Sequence, residues 1–552
     1  MTLIAGAYSR HPEHPIPRDL ARSLERNLSR HPDDSVLVHE DSRFFLATVD
    51  IRAFSDKAIH RDHQGNISAL TGEPLLPNGH STPPSDLEAL HEAWLRNDLR
   101  VIRSAHGTFS GCHFRRDSSE LRLFTDHLGV RPLYIWTSDA MIVFASALRV
   151  LESCPEIPRK MSVRGVTETA SFGYPLNDRT PYEDIHRVGA AEIVHVRRRD
   201  LQRFRYWNWD EELSVGEVNP KSLEDLYRRF KEAVVRRQRS DRHAVAFLSG
   251  GLDSRAVVST LADLGVRANT FNFSLPGAQD QVFAHMFASE TGANHTEIPR
   301  HAGHGGWAAM MSRAWSRSPP AVREEVERPR IVWSGDGGSC VVGHNRVTNA
   351  IVDLMRAGRT AEAIALYARR NRLSVPKRIL RRQVLAVFAD TVEQGMSEEL
   401  SRFDCEDPAR AFYLFRLEND ERRHLDRHFE TIDINRLEYQ LPFFDPSVVQ
   451  AALSFPLESC IHHRLYAQWL EHFPPEVRAV PWQTYPGAAP CPVPYPDTLA
   501  NQWEAEQVNV FEEEQRSELL KTARKALREG DYPRQIIRRP IIRTAYWLLR
   551  LR

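Results

Sequence analysis

Apolar residues recur along this chain in two rhythms, and the rhythm changes near residue 210. Before that point, short apolar runs are bounded by turn residues. Val36-Leu37-Val38, Phe44-Phe45-Leu46-Ala47 and Leu121-Arg122-Leu123-Phe124 predict strands. Residues 132–136 and 141–145 predict a hairpin across Thr137-Ser138-Asp139, and 86–95 predicts a helix after the loop Thr82-Pro83-Pro84-Ser85. The stretch 206–219 is aromatic, then acidic and irregular. From 222 the texture changes: an amphipathic helix over 222–239, a strand over 244–248, a helix over 255–264, a strand over 268–273, a helix over 281–290 and a strand at Ile331-Val332-Trp333. Strands alternating with helices predict a parallel sheet with ligands at the strand C-termini. Residues 346–480 read as mainly helical, 486–496 as a proline-rich loop, and 533–552 as basic with interleaved Ile, Trp and Leu. The expectation is an α/β protein of two domains, a β-rich one over 1–210 and a parallel-sheet one with helical additions over 211–552.

The chain has 552 residues, more than a single core of about 250–300 residues accommodates. Lys+Arg and Asp+Glu both number 73, so no global charge points to nucleic acid. Cys112, Cys154, Cys340, Cys405, Cys460 and Cys491 form no CxxC pair and no zinc-like spacing, which fits free thiols in a reducing cytoplasm. No basic n-region precedes an apolar core at the start, and no apolar run approaches the ~20 residues that span a bilayer. Stable membrane insertion is not expected.

The chemistry begins at Ser249-Gly250-Gly251-Leu252-Asp253-Ser254, between a predicted strand and a predicted helix. A strand, a glycine-rich turn and a helix N-terminus make a pocket of backbone N–H groups for phosphate. The spacing is not GxxxxGK[ST]. SGGLDS is the pyrophosphate loop of enzymes that cut ATP between its α- and β-phosphates, so AMP and pyrophosphate are the expected products.

Further segments carry a resemblance to the asparagine synthetase superfamily over nearly the full length. Residues 124–134, FTDHLGVRPLY, resemble the D-x-x-G-x-x-P-L-Y segment of class II glutamine amidotransferase domains, and Phe144-Ala145-Ser146 their FAS. Leu441-Pro442-Phe443-Phe444-Asp445 resembles the PF-x-D near the synthetase site. The resemblance implies an amidotransferase-like β-sandwich followed by an ATP-pyrophosphatase synthetase domain. It also marks departures. Glutamine-using members carry a cysteine nucleophile after the initiator Met, and here the position is Thr2. Their NGE segment is Thr71-Gly72-Glu73, without the Asn that donates to the oxyanion. Amide hydrolysis needs both groups, so the nitrogen is expected from free ammonia or from an amine in the substrate.

Among members without the cysteine, residues 334–344, SGDGGSCVVGH, resemble the GDGGS-x-x-x-GH element of lasso peptide cyclases, and PWQTYPG at 481–487 with Pro490-Cys491-Pro492 resembles their PWQ-T-x-x-G-x-x-P loop. The lysine that asparagine synthetases carry in this loop is absent, with none between Arg464 and Lys521. The resemblance implies a macrocyclase that adenylates an Asp or Glu side chain of a leaderless precursor peptide and joins it to the N-terminal amine. ATP and Mg²⁺ are implied, with a leader peptidase and a leader-binding protein as partners. The nucleotide pocket is read as Leu248, Ser249, Gly250, Gly251, Leu252, Asp253, Ser254, Phe273, Ser334 and Gly335. Asp253 is the metal ligand. The second metal carboxylate of the family falls at Ser339, and Asp280 is either its replacement or a helix N-cap. Asp336 and Glu438 are read as catalytic carboxylates, against a turn residue and a salt bridge. Arg255 is either a phosphate contact or an exposed helix residue, His344 a structural histidine, and Trp482 and Tyr485 either line the peptide cavity or pack as a lid. Two alternatives stay open: a β-lactam synthetase-type or ammonia-dependent asparagine synthetase, and a non-catalytic peptide-binding scaffold.

Overall fold

The computed structural model describes residues 2–501, except 55–57, 78–84, 199, 212–214, 301–305, 372, 376–385 and 485–486. Tyr485 and the basic segment 533–552 therefore lie outside the described residues. The N-terminal half is two six-stranded antiparallel sheets. One runs in the order β10 (Ile185–Arg187), β8 (Tyr134–Thr137), β9 (Met141–Ala145), β1 (Leu3–Ser9), β3 (Phe44–Val49) and β2 (Leu37–Glu40). The other runs β12 (Asp200–Arg205), β11 (Glu192–Arg197), β7 (Glu120–Thr125), β6 (Phe109–Arg115), β5 (Ile67–Gly72) and β4 (Ile59–Arg61). Ile4, Tyr8, Phe44 and Phe144 of the first meet Ala69, Cys112, Phe114 and Leu123 of the second in one apolar layer. The sequence expectation missed β1. Its run Leu3-Ile4-Ala5-Gly6-Ala7 does not alternate, because this strand is central and buried on both faces.

Residues 206–219 contain no helix or strand among those described, and helix Pro220–Gln238 follows. Asn219 caps it by accepting from the Ser222 N–H, while Pro220 occupies the first turn, where a missing N–H costs nothing. The second half is built on a parallel sheet in the order β15 (Asn294–Pro299), β14 (Arg267–Ser274), β13 (His243–Phe247), β16 (Ile331–Trp333), β17 (Glu438–Gln440). The chain leaves β13 toward β14 on one side and later returns to β16 on the other. The switch point between β13 and β16 is where the topology opens a crevice at the strand C-termini. No described helix is long and apolar enough to cross a membrane.

The halves are joined by buried charge. Arg131 of the first makes a bidentate pair with Glu438 of the second at 2.7 and 2.8 Å. Arg205 meets Glu418 at 2.6 Å, Arg187 meets Asp426 at 2.7 Å, and Arg30 meets Asp433 at 2.6 Å. Asp445 accepts from His106 of the N-terminal half at 2.9 Å and from Arg237 at 2.9 Å and Arg236 at 3.1 Å. Burial works against the charged carboxyl of Asp445, but His106 and the two guanidinium groups outweigh it and hold it well below the usual carboxylate range.

A folded-state pKa below the unfolded value contributes stability that is full above about pH 4 and is lost as the pH falls through the carboxylate range. Arg237→Ala leaves a buried carboxylate short of a partner and is expected to cost about 3 kcal/mol in equilibrium denaturation at pH 7. Arg236→Ala, whose guanidinium is partly exposed, is expected to cost less than about 1 kcal/mol.

Candidate active site

Two loops meet at the switch point, Ser249–Ser254 after β13 and Ser334–Gly338 after β16. The first turns directly into helix Leu252–Asp263, whose N-cap is Gly251 with no side-chain cap. Its first-turn N–H groups are therefore left for a ligand such as phosphate. Within the loop, Ser254 Oγ accepts from the Ser249 N–H at 2.9 Å and sits 2.9 Å from Ser249 Oγ. The Gly251 N–H donates to Ser249 Oγ at 3.3 Å. Leu248 and Leu252 are core residues that hold the loop ends. Phe273, at the end of β14, packs between Phe247 and Trp307.

Asp280 holds the loop from behind. One carboxylate oxygen accepts from the Gly250 N–H at 2.9 Å, and the other from Asn272 Nδ2 at 3.1 Å. This corrects two readings. The N-cap of helix Gln279–Thr291 is Ala278, so Asp280 does not cap it. The Gly250 N–H faces Asp280 instead of the phosphate. Gly250 is also fixed by space, since a Cβ there would lie 2.7 Å from Asp280 Cα.

Asp253 Oδ2 accepts from the Ser339 N–H at 3.0 Å and from its hydroxyl at 2.7 Å. The hydroxyl at the expected second metal carboxylate thus orients the first. Asp253 Oδ1 is buried without a well-formed hydrogen bond. Burial pushes this carboxyl up to about 6, against the pull of the Ser339 and Tyr466 hydroxyls. A buried carboxylate oxygen beside the nucleotide loop suits Mg²⁺. Among the described residues no cluster of three His, Cys, Asp or Glu side chains is arranged to hold a metal. A cation here would be shared between Asp253 and phosphate oxygens, as Mg²⁺ prefers. The second loop leans on the first: a Cβ at Gly335 would lie 2.5 Å from the Ser254 nitrogen, and one at Gly338 2.7 Å from Asp253 Cγ.

Asp336 stands beyond the end of β16. Ser334 Oγ donates to its Oδ2 at 2.6 Å, and His424 Nε2 lies 2.9 Å from its Oδ1. Burial raises this carboxyl, but His424 and Ser334 more than offset it and the net shift is downward. His424 was not singled out from sequence. It follows a π-helical turn, Arg416–Glu421, which no sequence period announces. Beside it His428 stacks on Tyr439 with ring centroids 3.8 Å apart, and burial pushes the His428 ring down to about 3.

Other predicted residues sit elsewhere. Glu438 is only 1% exposed at the start of β17, level with Ile331, with both oxygens on Arg131. It joins the halves and is not a partner of Asp336, because the register places it toward the opposite end of the sheet. Arg255 is neither exposed nor turned to phosphate. It donates to the carbonyls of Val477, Val480 and Pro481 at 3.0, 2.7 and 2.7 Å, and lies over Phe287 and Trp482. Burial pushes the guanidinium down to about 9. Trp482, 3% exposed, packs in the core above it. His344 is buried against Tyr413, with ring centroids 3.9 Å apart, as a structural histidine.

The amidotransferase position is closed. Thr2 is 2% exposed, its Oγ1 accepts from the Ile51 N–H at 3.0 Å, and its carbonyl accepts from Arg131 at 3.0 Å. Glu73 pairs with Arg239 and accepts from Gln440 Nε2 at 2.9 Å, both in the other half.

Residues 74–207 match the glutamine amidotransferase domain model, and 225–466 match the asparagine synthase model. Glutamine-hydrolyzing asparagine synthetase 3 of Bacillus subtilis is 26% identical over 253 residues, 42% of this chain and 40% of its own length. Amidase chyE of Penicillium rubens is 24% identical over 386 residues, 66% of this chain and 53% of its own length. Glutamine-hydrolyzing asparagine synthetase 2 of Bacillus subtilis is 24% identical over 200 residues, 32% of this chain and 26% of its own length. The chain spans about half or less of each relative it matches. The likeness to the solved glutamine phosphoribosylpyrophosphate amidotransferase of B. subtilis covers 56% of this chain and 88% of that one, at 9% identity and a TM-score of 0.26, and carries no argument.

Asp280→Ala is expected to weaken ATP binding about tenfold in calorimetry, through loss of the charged acceptor that holds the Gly250 N–H. Equal affinity in variant and parent would show that the loop is held without Asp280.

Proposed function

The chain belongs to the asparagine synthetase superfamily, and we propose that within it the protein is an ATP-dependent, AMP-forming carbon–nitrogen ligase that closes a peptide on itself. The supporting observation is the pairing of an ordered SGGLDS loop with a closed amidotransferase position. Thr2 is buried, its Oγ1 accepting from the Ile51 N–H and its carbonyl from Arg131, and Glu73 is tied across the interface, so no exposed nucleophile stands where the family has its cysteine. The attacking nitrogen then comes from free ammonia or with the substrate. The lasso-cyclase-like segments at 334–344 and 481–487 favour the N-terminal amine of a precursor peptide, with Asp or Glu as acceptor. A leader peptidase and a leader-binding protein are the partners this reading requires, and a reducing cytoplasm suits its free thiols.

A carboxylate is a poor acyl donor because oxide would have to leave. A substrate carboxylate oxygen attacks the α-phosphorus of ATP, pyrophosphate departs, and an acyl-adenylate results. The first-turn N–H groups of helix Leu252–Asp263 and the hydroxyls of Ser249 and Ser254 hold the departing pyrophosphate. Asp253 would hold Mg²⁺, which when bound offsets charge on the phosphates. The amine then forms the C–N bond and AMP leaves with the electrons of the C–O bond. A peptide N-terminus has a pKa of about 7.7–8.0, so a share of it is the neutral amine at neutral pH; that amine attacks, and Asp336 takes the proton its nitrogen sheds as the bond forms.

Pyrophosphate release is measured with three substrates in turn: aspartate plus ammonium, a β-amino acid, and a linear lasso core peptide. The peptide alone is expected to trigger AMP formation and to lose one water by mass spectrometry. Consumption of either small substrate would place the enzyme with the asparagine or β-lactam synthetases. Asp253→Ala is expected to abolish turnover while sparing peptide binding. Peptide binding by the parent without any ATP cleavage, the partner protease included, would mark a scaffold.

A further inference from the structure

The ring of His424 is half exposed and surrounded by carboxylates. Asp336 touches Nε2 from the turn after β16. Asp420 and Glu421 act on it from the π-helical turn, where Arg416 pairs with both and Arg346 with Asp420. His428 faces Asp336 from the following helix, Asp426–Glu430. Glu421 also acts on Asp253. The His424 side chain is 53% exposed, and Nδ1 has no hydrogen-bond partner among the described residues. One ring nitrogen is anchored on a carboxylate and the other is presented outward. No lysine lies between Arg464 and Lys521 to bring charge to this site from the 481–487 loop.

We propose that His424 is a catalytic residue that works as a cation: its Nδ1–H donates to the substrate carbonyl oxygen as the amine adds to the acyl-adenylate. This rests on the ligase reading. As the nitrogen adds, the carbonyl electron pair moves onto oxygen and the Nδ1–H hydrogen bond stabilises it. The pair then returns, the bond to the AMP oxygen breaks, and the nitrogen gives its proton to Asp336. His424 neither gains nor loses a proton over the cycle. Asp336 has two tasks, to fix the ring and to receive the proton.

The charge on the ring has support besides geometry. Desolvation works against it, but Asp336 first, then Glu421 and Asp420, outweigh this and raise the ring to about 9. An oxyanion donor and a general base differ in sign. A cationic donor loses rate as the pH rises through the ring's titration, whereas a base gains it.

The test uses the full chain, MgATP and whichever of the three substrates above supports adenylation, so an error in substrate class leaves it intact. Single-turnover quench separates pyrophosphate–ATP exchange from C–N bond formation. His424→Gln is expected to slow bond formation about 10²-fold, at least ten times more than it slows exchange. His424→Lys, which restores a charge, is expected to recover at least tenfold. The wild-type bond-forming rate is expected to fall above about pH 9, and nitrogen-15 histidine spectra are expected to show an imidazolium at pH 7.5 that is lost in Asp336→Asn. Bond formation in His424→Gln near the wild-type rate, a rate that rises through the ring's titration, or a neutral ring at pH 7.5 would each overturn the proposal. No adenylation by the wild type with any substrate would overturn both this and the ligase reading.

Discussion

The structure depends on charges that are buried only because the other half of the molecule neutralises them. Taking a guanidinium or a carboxylate out of water costs several kcal/mol unless a well-placed partner is present. Arg131 and Glu438 are both almost fully buried, and each is the other's partner. Asp445 shares its charge with Arg236 and Arg237 of its own half and His106 of the other. The apolar core is continuous across the same boundary. An N-terminal half with Thr2 at its start is held in place because its arginines and its histidine satisfy the second half.

This also explains what the sequence motifs are for. The D-x-x-G segment is a turn in which Asp126 accepts from the N–H groups of Leu128, Val130 and Arg131, and so aims Arg131 at Glu438. Asp445 of the PF-x-D motif caps helix Pro446–Leu453 through the Ser447 N–H while collecting its cations. In both motifs the acidic residue positions structure; it does not face the crevice.

Local signals were legible wherever local chemistry decides. Strand, glycine turn and helix around SGGLDS followed from apolar run, glycine pair and amphipathic stretch, and the alternation after residue 222 gave the parallel sheet. Ser334, Gly335 and Asp336 were placed by the resemblance of residues 334–344 to a family element, and the sheet order sets the end of β16 beside that of β13. What escaped depends on distant partners. Glu438 belongs to Arg131, and Arg255 belongs to three carbonyls more than 220 positions away. His424 lies in the run Asp420-Glu421-Arg422-Arg423-His424, which reads as a solvated helix face. Nothing in that run reveals that the helix widens there.

The widened turn carries a consequence for how this cleft tolerates change in chain length. In a helix each residue advances the direction of the side chains by about 100°. The π-helical turn at Arg416–Glu421 takes up one residue more than an α-turn would, and everything after it inherits that offset. Deleting a single residue there would restore an ordinary helix and swing His424 by roughly a quarter of a revolution. Length in this segment therefore sets whether His424 meets Asp336. A one-residue gap would do more to the cleft than most substitutions of the residues that line it.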